Sequence, residues 1–278
     1  MPTSSQEEQM LLSVVIPAHN EAENLPRLLE EIRISLAKME SYEVVVVDDG
    51  SSDRTPAALD EIQSDFRQLR IVRHAASCGQ STALMTGVDA ATGDIIATLD
   101  GDGQNDPADI PGMVDLLLQS RQTDDVRMIA GMRAKRLDSR WRIMSSRIAN
   151  GVRSRILQDG TPDSGCGIKV FVKQAFSIMP RFNHMHRFMP ALIVRGGGKV
   201  ISYSVNHRVR THGKSHYDTL RRLMVGIVDL IGVAWLLRRN KLAVVERMDA
   251  IHDERTDLDC IRFDRATPLH SPIRRAVA

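Results

Sequence analysis

Apolar, β-branched runs recur along the chain at Leu12–Ala18, Val44–Val47, Leu69–Val72, Ile95–Leu99, Met128–Ala130, Val170–Val172 and Val200–Val205. Between them lie stretches with helical spacing, such as Leu25, Leu28, Leu29, Ile32 and Leu36. This strand–helix alternation predicts an α/β fold: a doubly wound, mostly parallel sheet with helices on both faces. The unbroken Val44–Val47 run suits a strand covered on both sides. The alternation ends near Tyr203, and no internal repeat interrupts it.

Two segments depart from the pattern. Arg133–Arg155 carries eight Lys/Arg residues and one acid, Asp138. Leu223–Leu237 is apolar apart from Asp229, with Arg221-Arg222 before it and Arg238-Arg239 after it. A 15-residue helix of this kind spans roughly 22 Å, short of a hydrocarbon core of about 30 Å, so no transmembrane helix is predicted there. The tail after Lys241 is charged, poor in aromatics and predicted to be loosely ordered.

Composition narrows the class. The chain has 278 residues, 42% hydrophobic and 26% charged, which excludes collagen, coiled coil and wholesale disorder and allows one or two domains. Its net charge of +2 is small for a dedicated nucleic-acid binder. The basic run has few interleaved aromatics, Trp141 standing nearly alone, which argues against a base-stacking platform. Cys78, Cys166 and Cys260 form no CxxC pair and no disulfide framework, which suits a reducing, cytoplasmic setting. The opening MPTSSQEEQM predicts no secretory leader.

Polar side chains cluster where three apolar strands end. The first strand runs into Pro17, His19, Asn20 and Glu21, the second into Asp48 and Asp49, the fourth into Asp100, Asp102 and Gln104. In open α/β sheets ligands bind at the carboxyl ends of the strands. Buried unpaired carboxylates are costly, so these acids are expected to line a cleft. Asp100 and Asp102, one residue apart on an extended segment, would share a side. Two carboxylates, with Gln104 adding an oxygen, suit a hard dication, Mg²⁺ or Mn²⁺. There is no GxxxxGK phosphate loop, and Gly196-Gly197-Gly198 is expected to be a helix-to-strand turn. His184 and His186 show no close carboxylate partner in sequence and are expected at the surface or near lipid; Cys166 is expected to be a packed thiol.

The segments VVIPAHNEAENL, VVVVDDGSSDRT, CGQSTALMTGVDAATGDIIATLDGDGQNDP and NHRVRTHGKSHY together resemble glycosyltransferase family 2, in its dolichol- and polyprenyl-phosphate sugar synthase branch. The resemblance covers about residues 11–240. It implies a GT-A fold and inverting transfer of a hexose-type sugar from a UDP- or GDP-linked donor to a polyprenyl or dolichyl phosphate. It assigns Pro17, Asn20, Glu21, Asp48, Asp49, Gly79 and Gln80 to the nucleotide, and Asp100, Asp102 and Gln104 to the metal. It also implies that Arg133, Arg142 and Ser146 hold the acceptor phosphate, with Arg210 and Ser215 closing over the phosphates. The family's usual Lys-Tyr after that serine is His216-Tyr217 here, which leaves open whether Lys214 takes the lysine's part. Asp163–Gly167 with Lys169 resembles a further family segment.

The expected organisation is a catalytic domain over residues 11–216, a membrane-interface helix over 217–240 and a charged tail over 241–278. The expected partners are a nucleotide sugar, a polyprenyl-phosphate lipid and the inner face of the cell membrane, with no nucleic acid; the apolar C-terminal helices could pair subunits. Two other readings are a sugar nucleotidyltransferase and a non-catalytic nucleotide- or RNA-binding module. The first usually opens with a Gly-rich, Arg-containing loop, absent from IPAHNEAEN, and the intact DxDxQ disfavours the second.

Overall fold

The computed structural model describes residues 11–39, 41–133, 151, 153–208 and 219–239. Seven strands form one sheet: β1 (Leu12–Ala18), β2 (Tyr42–Asp48), β3 (Leu69–Arg73), β4 (Ile95–Thr98), β5 (Val126–Arg133), β6 (Lys169–Val172) and β7 (Lys199–Val205). Their order across the sheet is β3-β2-β1-β4-β6-β5-β7. The α-helices are α1 (Leu25–Ser35), α2 (Thr55–Gln63), α3 (Gln80–Ala90), α4 (Ile110–Thr123), α5 (Lys173–Ser177), α6 (Met189–Arg195) and α7 (Thr219–Arg238), and residues 153–157 are also helical.

The mostly parallel α/β expectation holds. β1 pairs parallel with β2 and β4, β2 with β3, and β5 with β7. β6 is the exception, antiparallel to both β4 and β5. The chain re-enters the sheet at the carboxyl end of β4, where Thr98 Oγ1 donates to the Gly167 carbonyl at 2.8 Å, and then runs backwards as β6. That reversal brings residues 163–168 to the strand ends that carry the acidic motifs.

Val44–Val47 are fully buried. Successive strand side chains point to opposite faces, so full burial of four in a row requires cover on both. In α1, Leu25, Leu28, Leu29 and Ile32 make the buried stripe read from the sequence. Helix α3 lies close on β1 and β2 because Gly87 has no side chain: a Cβ there would sit 2.4 Å from Val15 Cγ1. Gly196–Gly198 form the expected turn, with the Gly198 N–H on the Ile193 carbonyl at 3.1 Å before β7 begins.

The opposite end of the sheet is held by one buried carboxylate. Glu43 Oε1 accepts from Ser13 Oγ at 2.6 Å, from the Thr92 N–H at 2.5 Å and from Thr92 Oγ1 at 2.8 Å, while Oε2 accepts from Arg70 at 2.8 Å. Burial by itself would raise its pKa; the hydrogen bonds outweigh it and hold the group at about 2. Glu43→Gln keeps the shape and removes the charge, so it should cost about 2–3 kcal/mol at pH 7, read as a shift of the urea midpoint. A depressed carboxyl stabilises above its unfolded value of about 4.5 and loses that contribution as pH falls towards 2. The variant's stability should therefore be flatter than the parent's across that acid window.

Candidate active site

β1 lies between β2 and β4, so their carboxyl-terminal loops are neighbours: Ala18 pairs with Asp48 and Val15 with Thr98. Asn20 stitches the first two loops together. It adopts a left-handed backbone (φ 57°), its Oδ1 accepts from the Ser52 N–H at 2.8 Å and the Asp53 N–H at 3.3 Å, and its own N–H donates to Ser51 Oγ at 2.9 Å. Glu21 Oε2 accepts from Asn24 Nδ2 at 2.6 Å. Between this loop and the start of α2 lies a cleft of about 460 Å³, lined by Asn20, Glu21, Asp53 and Arg54 among others. The Pro17 carbonyl oxygen would lie 3.2 Å from a Cβ on residue 101, so Gly101 permits the approach of the fourth strand's loop.

The expectation that all the strand-end acids line the cleft is corrected at Asp48 and Asp49, which are 2% and 3% exposed. Asp48 Oδ1 accepts from the Ser51 N–H at 3.0 Å, and Arg73 Nε stands 4.0 Å from its other oxygen. Asp49 is assigned to the nucleotide by the resemblance, yet the structure commits both its oxygens to the β3–α3 loop. Oδ1 takes His74 Nδ1 at 2.7 Å and the Cys78 N–H at 2.8 Å; Oδ2 takes Ser77 Oγ at 2.9 Å and the Gly79 N–H at 2.8 Å. Burial pushes its pKa up, but these four donors together hold it below the ordinary value. A carboxylate offers about four lone-pair positions, and the loop fills them. Asp49 thereby places Gly79 and Gln80 at the start of α3.

Gln80 reaches the fourth strand's loop, where its Nε2 donates to Asp100 Oδ1 at 2.7 Å. β4 ends at Thr98, and Asp100–Gly103 form a turn rather than an extended segment. Asp100 and Asp102 are thus neighbours because the chain folds back, not because of strand alternation. Asp102 Oδ1 accepts the Gln104 N–H at 3.1 Å, and the Gln104 carbonyl accepts the Arg208 N–H at 3.0 Å. Gly167 forms the floor: a Cβ there would stand 2.1 Å from Asp100 Oδ2 and 2.7 Å from Asn105 Oδ1.

Burial, and then the charge of Asp102, raise the Asp100 carboxyl to about 6, against the pull of Lys169, Arg133 and Gln80. Lys169 is buried with its ammonium on the Cys166 carbonyl, and desolvation lowers its pKa. Arg133 lies on this side too, but its fork closes on Asp163, with Nε to Oδ2 at 2.7 Å and Nη2 to Oδ1 at 2.8 Å. In this structure, therefore, the Arg133 guanidinium is engaged in an internal bidentate pair. Arg142, Ser146, Arg210 and Ser215, with Trp141, Lys214 and His216, lie outside the described residues, as does the charged tail.

The histidine expectation is also corrected. His184 Nδ1 is 2.9 Å from Asp229 Oδ2 on α7, the one acid of that apolar stretch. His186 Nδ1 meets Ser81 Oγ at 2.7 Å, and burial drives its pKa down to about 3, so it is a neutral packing residue rather than a surface one. Cys166 is buried as expected. Lys169, Asn105 and Gly167 were not singled out from the residues as parts of the site. The available signal was Lys169 itself, a lysine heading the apolar run KVFV, which requires a buried counter-charge.

The Gly167 contact yields a direct test. Gly167→Ala must push Asp100 off its position, since the added methyl would stand 2.1 Å from one carboxylate oxygen while Gln80 holds the other. Turnover should fall about 10–100-fold, as expected for a displacement near 1 Å, while circular dichroism shows the fold retained. Unchanged turnover would remove Asp100 from the reacting centre.

The sequence profile of Glycosyl transferase family 2 matches residues 13–178. The dodecaprenyl-phosphate galacturonate synthase of Rhizobium johnstonii is 34% identical over 241 residues, covering 85% of this chain and 70% of that protein. The undecaprenyl-phosphate 4-deoxy-4-formamido-L-arabinose transferase of Pectobacterium atrosepticum is 34% identical over 212 residues, covering 76% of this chain and 63% of its own length. Among solved structures, glucosyl-3-phosphoglycerate synthase from Mycobacterium tuberculosis, in complex with Mn²⁺, UDP-glucose and glycerol 3-phosphate, superposes with a TM-score of 0.61 at 17% identity over 85% of each chain. That likeness concerns the fold. With the family profile spanning more than half the chain, the protein belongs to glycosyl transferase family 2.

Proposed function

We propose that the chain transfers a sugar from a nucleotide sugar to a polyprenyl phosphate at a membrane surface, with inversion at the anomeric carbon. The observation that carries the acceptor is what the relatives have in common. One is named for galacturonate and the other for a formamido-arabinose, but both are named for a polyprenyl phosphate. The sugar varies while the lipid phosphate stays, so the acceptor class is the part most safely taken over.

Asp100 and Asp102, with Gln104, suit a resident Mg²⁺ or Mn²⁺. The donors are all oxygen, and the burial and Asp102 charge that together lift Asp100 to about 6 are offset by a dication. When bound, the cation offsets the charge that develops on the leaving nucleoside diphosphate. The chain's own residues do the rest. The Asn20–Asn24 loop and the start of α2 frame the nucleotide cleft. Gln80 and Gly167 fix the Asp100 carboxylate from two sides. The acceptor phosphate is anionic near neutral pH and needs no strong protein base. Its oxygen forms the new bond to the anomeric carbon as the bond to the donor diphosphate breaks. Arginines must offset the repulsion between the two anionic substrates, and Arg142 and Arg210, with Ser146 and Ser215, are proposed for that clamp. Arg133 joins it by exchanging Asp163 for phosphate.

Helix α7 supports the membrane reading. Val233 is buried against the core, while Met224, Val228, Ile231 and Trp235 form an exposed stripe on the opposite side, each 46% or more exposed together with Ile227. The helix is thus apolar on two sides, one for the protein and one uncovered. The Arg239 guanidinium lies 5.8 Å over the Trp235 ring, next to Arg238, so cationic groups border the stripe as an anionic lipid surface requires. No helix among the described residues is long and apolar enough to cross a membrane.

Three measurements test this reading. Incubation with a panel of labelled UDP- and GDP-sugars, undecaprenyl phosphate and Mn²⁺ should give an organic-extractable glycolipid; pyrophosphate exchange instead would favour a nucleotidyltransferase. Asp102→Asn should lower that turnover at least about 100-fold. Because Asp100 must be ionised to bind the cation, apparent Mn²⁺ affinity should weaken roughly tenfold per pH unit below about 6 and level off above it. Ile231→Asp combined with Trp235→Ser should abolish sedimentation with phosphatidylglycerol vesicles without changing the melting temperature; undiminished binding would reject the stripe as the lipid contact.

A further inference from the structure

We propose that Arg208 is a positioning residue. It ties the segment Asn206–Arg208 to the loop that follows Asp100 and Asp102 and, on the transferase reading above, so fixes where Arg210 meets the acceptor phosphate. β7 ends at Val205, and the next three residues continue past it along residues 104–109. The Asn206 N–H donates to Asp109 Oδ2 at 2.8 Å, His207 forms an antiparallel bridge with Asn105, and the Arg208 N–H donates to the Gln104 carbonyl at 3.0 Å. Three successive residues are thus registered against the loop that carries Gln104.

The Arg208 side chain locks that register. Its guanidinium fork is split between two carboxylates: Nη1 donates to Glu31 Oε2 on α1, and Nη2 stands 2.8 Å from Asp106 Oδ1. Asp106 is itself fixed, because the same oxygen accepts the Ala108 N–H at 3.1 Å and caps the short 3₁₀ turn Pro107–Asp109. All three side chains are partly buried. An isolated surface pair is worth little, but a planar fork held by carboxylates from two different elements fixes direction as well as charge. Burial works against the Arg208 charge; the Glu31 and Asp106 carboxylates outweigh it and hold the pKa above its ordinary value.

The two neighbouring arginines therefore divide the work. Arg208 is committed to protein carboxylates, and Arg210 is the one left for the acceptor. Arg210 follows two residues later, and two residues of chain reach at most about 7 Å. That span starts where the Arg208 N–H meets the Gln104 carbonyl, two residues after Asp102. An arginine directed to the acceptor phosphate is thereby delivered beside the acids proposed for the cation. One short tie, rather than the sheet alone, brings the two anionic substrates to the same place. Glu31 reaches this loop through Arg208; it also pairs with Arg27, at 2.8 Å on its own helix.

Arg208→Gln removes the fork, and Glu31→Ala removes one of its anchors from outside the site. Hydrogen exchange of the full chain, read by mass spectrometry, should become faster at residues 103–109 and 204–208 in both variants and stay unchanged in β1 and β2. In the glycolipid assay the apparent KM for undecaprenyl phosphate should rise about tenfold in Arg208→Gln and about threefold in Glu31→Ala, while the KM for the nucleotide sugar stays within about twofold. Arg208→Lys should recover part of the loss, since its single ammonium keeps the charge without the fork. Arg27→Ala should behave as the parent. A raised acceptor KM in Arg208→Gln with none in Glu31→Ala would make Arg208 a direct phosphate ligand and overturn the positioning role. Equal rises in both KM values would make it a general fold contact and overturn it as well. The exchange measurement needs no turnover: unchanged exchange overturns the tie whether or not glycolipid forms. A parent that forms no glycolipid, with the exchange response intact, rejects the transferase reading and leaves the tie standing.

Discussion

The site is organised around an electrostatic conflict: two carboxylates, Asp100 and Asp102, are folded onto one turn with too little water to keep both comfortable. The cost is visible in the raised Asp100 carboxyl. The protein sustains it with fixed partners. Gln80 donates to one oxygen, Gly167 leaves space for the other, and Asn105 accepts the Asp100 N–H at 3.3 Å. Lys169 and Arg133 add positive charge nearby, but Lys169 is held by a carbonyl and Arg133 by Asp163. Neither is placed as a free counter-ion. The remaining negative charge is what suits this turn to the proposed dication.

Acidic residues at neighbouring strand ends serve two different purposes. Asp48 and Asp49 are buried and saturated by hydrogen bonds, and they work as scaffolding. Asp49 acts at a distance by setting the β3–α3 loop, so that Gln80 begins its helix within reach of Asp100. Fully hydrogen-bonded carboxylates are stable inside proteins, while partly satisfied ones are strained and reactive. That contrast, rather than sequence position, separates the scaffold from the chemistry.

Helix α7 is joined to the site by a chain of contacts. Its inner face packs through Val233, and Asp229 is spent on His184. His184 belongs to the loop whose His186 meets Ser81, the residue after Gln80. Contact therefore runs from the exposed apolar stripe through this loop to the start of α3. A helix that is apolar on opposite sides needs one polar tie to fix its rotation, and the Asp229–His184 pair provides it.

Much of this was legible in the chain. The seven apolar runs, the buried valines of β2 and the helical stripe of α1 follow from periodicity, because burial of one face or two leaves a repeat that composition alone can show. The strand-end motifs marked where chemistry sits, since the carboxyl ends of parallel strands converge by topology. The direction of β6 was not legible, because its three apolar residues, Val170–Val172, read the same in either direction. Nor were the partners of Asp49, Arg133 and His184, which are 25 to 45 residues away along the chain. Whether a carboxylate is saturated or left in want of a cation depends on donors brought from such distances, and only the folded arrangement of loops decides that.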